Sequence, residues 1–334
     1  MTKVLRCGLL SLIGMFLTAG LSQAGGLYLY EVGSPDVGLS LDDQNDWAGR
    51  YYVQEATLQA AGIHPAIAWK VNDQFSVGAG AGVLYGMMEE KVAINNIDPF
   101  AGDGQLKNED EDWTVQFNLG LFCEPSEGTS FDLTYLSEAD LNFPDEVELS
   151  SLGSRLESIR DHFALPGTEL DLSVSMPQSV MSSVYHEFTD RLALLANLGW
   201  QDWSQFGYVD IGVHSIDSTD ITADLDFQDT WHVALGVQYR LSEPWLLPGG
   251  VAYDSTIYDG DEVSPALPVD ENWRFDIGSN YDWSKDLTLG AAYELAWGGD
   301  LDVDVDRGPL VGELSGSYEN LAIHIICLNA EWRL

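Results

Sequence analysis

Residues 271–297, ENWRFDIGSNYDWSKDLTLGAAYELAW, decide the fold. In the first arm Trp273, Phe275, Ile277, Ser279, Tyr281 and Trp283 share one face, and Arg274, Asp276, Gly278, Asn280 and Asp282 share the other. After Ser284-Lys285-Asp286, the residues Leu287, Leu289, Ala291, Tyr293, Leu295 and Trp297 alternate with Thr288, Gly290, Ala292, Glu294 and Ala296. This is period two, the mark of a strand with one apolar and one polar face. Each arm runs about a dozen residues, against roughly five or six for an ordinary strand. Trp273 to Tyr281, at about 3.3 Å per residue and a tilt near 40°, covers roughly 20 Å of height. That nearly matches the apolar band of an outer membrane with an aromatic ring at each border. The stretch reads as a hairpin of a transmembrane antiparallel β-barrel, an all-β fold.

Working outward, the same pattern recurs. A first strand is expected over residues 51–71, turning at Asn72-Asp73-Gln74 into Phe75, Val77, Ala79, Ala81, Val83 and Tyr85. A long polar connection containing Asn108-Glu109-Asp110-Glu111-Asp112 leads to Trp113, Val115, Phe117, Leu119 and Leu121. A short turn then gives Phe131, Leu133 and Tyr135. An acidic loop is expected over 138–168, then one strand over 169–188 with an irregularity at Pro177. Further strands follow around Leu192–Trp200, Trp231–Leu241, Leu247–Tyr253, the opening hairpin, and Tyr318–Leu334, with an acidic loop at 299–316. Short turns alternate with long connections, as periplasmic turns alternate with extracellular loops. The count is about eleven strands, whereas a closed bacterial barrel has an even number. One more upward strand should precede Tyr51, and residues 25–48 barely supply it.

Lys3 and Arg6, the apolar run 9–21 and Ser22-Gln23-Ala24 read as a secretory signal peptide over residues 1–24. Residues 25–48 then form a leading segment and residues 49–334 the barrel. No later segment has the 18 or more unbroken apolar residues of a spanning helix, so a membrane fate requires a barrel. Acidic residues number 54 against 14 basic ones, a net charge of −40. Loss of Lys3 and Arg6 with the leader takes this to −42. Such a surface repels nucleic acid. It reads foremost as a solvated exterior, with divalent-cation binding as the alternative. Cys123 and Cys327 remain past the leader, far apart, and indicate neither a zinc site nor a disulfide framework.

The six histidines lack metal-type spacing, no G-x-S-x-G elbow or P-loop occurs, and neither a metal nor another cofactor is expected. Ser182 with His186 is the one pairing that could serve an outer-membrane lipase. Asp300, Asp302, Asp304 and Asp306 lack the Gly and distant Glu of a calcium loop and read as a solvated acidic loop.

Several stretches resemble one family, the outer-membrane long-chain fatty-acid transporters (FadL-like, also known as OMPP1 or TodX-like). They are residues 26–38 (GLYLYEVGSPDVG), 47–54 (WAGRYYVQ), 176–180 (MPQSV), 199–206 (GWQDWSQF), 229–239 (DTWHVALGVQY), 250–254 (GVAYD) and 267–273 (LPVDENW). The resemblance implies a fourteen-stranded barrel plugged by an N-terminal hatch. It also implies uptake of long-chain fatty acids or other hydrophobic compounds, with release through an opening in the wall. An Asn-Pro-Ala-type motif and the strands after it are expected between the first two stretches. Here Leu39-Ser40 runs directly into Leu41-Asp42, which leaves 25–48 as a remnant of the hatch. A shortened relative, a misjoined gene and a barrel closed another way all fit that gap.

By analogy with the hatch, Leu27, Tyr28, Leu29 and Tyr30 are candidate ligand contacts; a frayed terminus or an added strand fits them equally. Trp203 and Phe206 fall off the outward phase of Leu198 and Trp200, which suits an inward position near the outer mouth or an interfacial one. The expected partners are a long-chain fatty acid or hydrocarbon, outer-membrane lipid and, during insertion, the barrel-assembly machinery. The competing functions are a porin with an acidic lumen and a surface barrel that transports nothing.

Overall fold

Alternation is what the backbone obeys. Along one strand Trp113, Val115, Phe117, Leu119 and Leu121 are each at least half exposed, while the residues between them are covered. Large apolar groups left open in this regular way are a lipid-facing surface, because water would not tolerate so large an apolar patch. The computed structural model describes residues 26–32, 48–52, 54–96, 102–146, 148–162, 169–206, 208–214, 219–224, 227–260, 263–264, 269–306 and 313–332. The expected leader, 1–24, and most of the segment 25–48 lie outside the described residues.

In chain order the strands are β1 (Gly26–Val32), β2 (Glu55–His64), β3 (Ala66–Lys70), β4 (Phe75–Ile94), β5 (Gly104–Ser126), β6 (Thr129–Leu136), β7 (Ala139–Glu146), β8 (Glu148–Ser150) and β9 (Glu169–Met176). They continue as β10 (Ser179–Thr189), β11 (Leu192–Gln201), β12 (Tyr208–His214), β13 (Thr219–Asp224), β14 (Thr230–Ser242), β15 (Trp245–Asp254), β16 (Asn272–Asp282), β17 (Leu287–Asp306) and β18 (Glu313–Trp332). Two helices, α1 (Ser154–His162) and α2 (Trp203–Phe206), and a 3-10 turn at Ala48–Tyr51 complete the described elements.

Fourteen strands join in one antiparallel sheet. Since β3 continues β2 and β8 only flanks β5, twelve ribbons run in series: β1, β2, β4, β5, β6, β10, β11, β14, β15, β16, β17 and β18. The wall strand missing from the sequence pattern is therefore β1, which pairs with β2 from Gly26↔His64 to Val32↔Leu58. Proline sets the joint below it. Pro65 has no N–H to give, so the ladder lapses between β2 and β3, and β3 pairs with β4 alone. Side-chain oxygens tie the short turns. Asn72 Oδ1 accepts from the amides of Gln74 and Phe75, Thr189 Oγ1 from those of Arg191 and Leu192, and Ser284 Oγ from those of Asp286 and Leu287.

Aromatic pairs mark both borders. Tyr85–Trp113 and Tyr253–Trp273 stand at the long-connection end with ring centroids 4.8 and 5.0 Å apart, and Trp245–Tyr281 at the short-turn end at 4.6 Å. By the barrel rule the long-connection end faces outward from the cell.

Three expected loops are strands instead. The run Asn108–Asp112 lies within β5, which stays paired with β4 from Ile94↔Gly104 downward. Asp300, Asp302, Asp304 and Asp306 lie within β17, paired with β18 as far as Asp306↔Glu313. There Leu301, Val303 and Val305 are buried between exposed aspartates, so the acidic residues are merely the wet face of a ribbon. The segment 138–168 contributes β7, β8 and α1. The strand expected over 169–188 divides at Pro177-Gln178, where a missing amide ends pairing: β10 enters the wall, and β9 joins a second sheet in the order β13-β12-β9-β7.

The second sheet is amphipathic and docks on the inner side of the wall's outer extension. Its polar face carries cross-strand bonds from Ser175 Oγ to Asp140 Oδ1 (2.6 Å) and from Ser173 Oγ to Asn142 Oδ1 (2.7 Å). Its other face presents Leu141 and Phe143, both 0% exposed, with Val174 and Met176. Gly86 of β4 is the receptor: a Cβ there would lie 2.5 Å from Leu141 Cδ1. The Asn142 amide donates to Asp112 Oδ2 at 2.8 Å beside it. Gly86→Ala is accordingly expected to destabilise the barrel by roughly 1–3 kcal/mol through overpacking. The loss should shrink in a Leu141→Ala background. Heat-modifiable gel migration of the four proteins measures this, and equal losses in both backgrounds would refute the docking.

Beyond the outer aromatic border, the β4–β5 ribbon sets Glu89 opposite Glu109 and Lys91 opposite Lys107, pairings that repel when directly opposed. Diagonal contacts relieve them: Lys91 Nζ reaches Glu89 Oε1 at 3.0 Å and also bonds Glu55, and Lys107 bonds Glu109 with Glu89 Oε1 at 3.6 Å. Lys91 holds the Glu89 carboxyl below its ordinary 4.5, and Glu55 raises the Lys91 ammonium above 10.5. A lowered carboxyl stabilises the ribbon above its ordinary value and stops doing so as pH falls through the lowered one; the raised ammonium is lost only as pH climbs past 10.5. Protection factors (exchange relative to the intrinsic rate at each pH) at residues 88–92 and 106–110 should therefore fall below about pH 4.5, while those at residues 113–121 hold. Unchanged protection factors down to pH 3 (about 1.5 units lower) would discount the ion pairs.

Candidate functional site: an aromatic cluster under the outer mouth

The second sheet, the outer ends of β4, β17 and β18 and the connections around β11 and β15 converge on one buried apolar cluster. Trp203 and Phe206 belong to it. They sit on α2, which follows β11 after Asp202, so the chain leaves the wall and carries Phe206 inward to 9% exposure. The Trp203 and Phe206 rings meet edge to face at 5.2 Å, Phe206 stacks on Phe227 at 6.1 Å and 4°, and Phe227 meets Tyr258 at 5.2 Å and 84°. Phe227 and Tyr258 also form a backbone bridge. Four rings in a row thus line one side of the cluster. Burial pushes the Tyr258 hydroxyl far above its ordinary value of 10, which keeps it neutral at any physiological pH.

The other side is aliphatic. Leu141, Phe143, Val174 and Met176 come from the second sheet, Leu84 and Met88 from β4, and Leu301, Val303, Val305 and Leu314 from the β17–β18 ribbon. Tyr52 closes it, 5% exposed, with its hydroxyl donating to the Val305 carbonyl at 2.8 Å. The residues around Tyr52 are clamped in turn. Arg50 Nε donates to Asp103 Oδ2 and Tyr51 Oη to Asp103 Oδ1, both at 2.7 Å. No ladder among the described residues joins β1 to β18, so Tyr52 is what links the leading end of the sheet to its last hairpin at the outer rim.

Below the cluster the inner wall turns polar. His232 Nδ1 lies 2.7 Å from Asp254 Oδ1, and Arg274 Nη2 lies 2.9 Å from Asp254 Oδ2 and 3.1 Å from His232 Nδ1. One step deeper Asp276 faces Glu294 directly across β16 and β17. The cluster holds apolar groups by dispersion and dehydration; the strip below it suits water and cations.

The remaining candidates are placed as follows. Leu27, Tyr28, Leu29 and Tyr30 lie in β1, opposite Ile63, Gly62, Ala61 and Ala60; their side chains are outside the described residues. Ser182 and His186 are not brought together. Four residues apart on β10, they stand roughly 13 Å from each other. Ser182 Oγ donates to the Leu198 carbonyl at 3.3 Å, and His186 Nδ1 bonds Thr129 Oγ1 at 2.8 Å. Among the described residues no group of His, Cys, Asp or Glu has metal-holding geometry. Phe227, Tyr258, Leu141, Phe143 and the odd-numbered residues of 301–305 escaped the reading of the chain. A signal existed for the last three sets, since they alternate with Asp or Asn, but in stretches so acidic that they read as loops.

Residues 32–333 match the family model described as outer membrane protein transport protein (OMPP1/FadL/TodX). The chain is similar to the long-chain fatty acid transport protein of Escherichia coli O6:H1, 22% identical over 77% of this chain and 63% of that one. It is also similar to outer membrane protein P1 of Haemophilus influenzae, 22% identical over 77% and 60%. It therefore spans under two thirds of the length of these curated relatives. Among solved structures, a Pseudomonas aeruginosa FadL homologue superposes with a TM-score of 0.75 at 18% identity, covering 93% of this chain and 76% of that one. The toluene transporter TodX of Pseudomonas putida superposes with 0.62 at 14%, covering 92% and 78%. These neighbours share the outer-membrane β-barrel fold seen here, and the chain belongs to the OMPP1/FadL/TodX family of outer-membrane transport proteins.

Proposed function

We propose that this barrel takes up long-chain fatty acids or other hydrophobic compounds across the outer membrane, passively, with the aromatic cluster as its point of capture. The observation that carries the reading is a buried, ring-lined apolar cluster built by inward-folded outer segments, where a porin would leave water. Each methylene buried there contributes about 0.8 kcal/mol, so a long chain needs no charged partner to bind. Trp203 and Phe206 supply ring faces from α2, and Phe227 and Tyr258 extend the row. The relatives named for long-chain fatty acid and toluene transport support the ligand class.

Release through the wall is supported by the joint at Pro65. Above it β1 covers the edge of β2; below it β3 has only β4 beside it among the described residues. The second reading, a porin that favours cations, draws on the strip of Asp254, Asp276 and Glu294 along the inner wall.

Proteoliposomes carrying the full chain should accumulate a labelled long-chain lipid or hydrocarbon saturably. Phe206→Ala and Phe227→Ala should each weaken its binding on the order of tenfold, about 1.4 kcal/mol. Unsaturable leakage equal to empty liposomes, together with cation-selective conductance in planar bilayers, would favour the porin instead.

A further inference from the structure

The rim of the cluster and the inner wall below it are both negative. Asp202 precedes Trp203 directly; it is 9% exposed and accepts from Gln178 Nε2 and Ser204 Oγ. Asp229, two residues after Phe227, accepts from Trp200 Nε1 at 2.9 Å. Below them come Asp254, then the facing pair Asp276 and Glu294.

Among the described side chains, four cations of this half are engaged. Arg50 is paired with Asp103, Lys91 with Glu55 and Glu89, Lys107 with Glu89 and Glu109, and Arg274 with Asp254. Arg155 stands exposed on α1. So Asp202, Asp229, Asp254, Asp276 and Glu294 line this rim and wall, and Arg274 is matched by one of them.

Building on the uptake reading, we infer that this site selects uncharged ligands, a hydrocarbon or fatty alcohol, over a fatty-acid carboxylate of the same length. The apolar tail gains the same burial energy in either case. The head group decides: a hydroxyl or methyl meets the acidic strip without penalty, whereas a carboxylate meets net negative charge that repels it.

The test uses the full chain refolded into neutral phosphatidylcholine liposomes at pH 7.5 (a condition about three units above ordinary carboxyl values). Labelled hexadecanol and labelled palmitate are titrated separately, with empty liposomes subtracted. Hexadecanol is expected to bind on the order of tenfold more tightly, and Asp276→Asn with Glu294→Gln is expected to narrow that gap by strengthening palmitate. Palmitate binding as tightly as hexadecanol, or a gap unmoved by the double variant, overturns the selectivity while leaving uptake standing. Binding of neither ligand removes the uptake reading and this inference together.

Discussion

Inside a bilayer no water is present to satisfy a peptide group, so each amide and carbonyl must find a partner in the chain. The wall is the consequence. Its ladders run through the lipid-facing zone with lapses at Pro65 and at Pro248 within β15, and side chains fall alternately outward and inward because a strand allows nothing else. The position of proline follows from the same demand. Pro65 and Pro177 cannot donate, and each sits at a joint, the first between β2 and β3, the second where the chain passes from the inner sheet to the wall. Aromatic pairs gather at the two borders, where a ring can be half in lipid and half in water.

That constraint also explains which parts of the fold were legible in the residues. Where the outward face touches lipid, every second residue is large and apolar, and β5, β14, β16 and the inner part of β17 read directly as strands. Beyond the membrane the period persists but its apolar half is small and turned inward. Leu301, Val303 and Val305 between aspartates carry the same alternation as Phe275 and Ile277, yet charge density made the stretch look like a loop. Ala139, Leu141 and Phe143 were hidden in the same way. The twelfth ribbon was obscure for a different reason: Leu27 to Tyr30 alternates too weakly to distinguish an added strand from a plug, and pairing with β2 is settled by contacts far along the chain. At the cluster, Trp203 breaks the outward rhythm of β11, while Phe206 keeps its parity and is carried inward by α2. Phe227 and Tyr258 have no rhythm around them, and only the fold stacks them on Phe206.

The inner sheet occupies the mouth of the barrel, where the family resemblance leads one to expect a hatch. Beyond its chain connections to β6 and β10, it is attached by packing and hydrogen bonding. Leu141 fills the space that glycine leaves at position 86, and Phe143 packs behind it. Tyr52 binds the leading end of the chain to the same cluster through the Val305 carbonyl. The cluster therefore both holds the sheet in place and joins the first part of the wall to the last hairpin. An apolar ligand entering it would insert among contacts that already support the rim, so capture and the tightness of the outer mouth share the same side chains.

A net charge of −40 and a buried apolar cluster coexist in this chain because the two properties lie on opposite faces of the same ribbons. Asp300, Asp302 and Asp304 of β17 point to water because their neighbours point inward, and the serines and Asp140 of the inner sheet likewise leave Leu141 and Phe143 free to be buried. Period two separates charge from oil at a distance of one residue. The acidity is then not neutral toward ligands. It surrounds the entrance, engages the nearby cations in ion pairs and continues down the wall as Asp254, Asp276 and Glu294. A greasy molecule without charge passes this field at little cost, and one carrying a carboxylate must work against it at every step. The same alternation that lets the barrel stand in lipid thus sets the terms on which it admits what comes from outside.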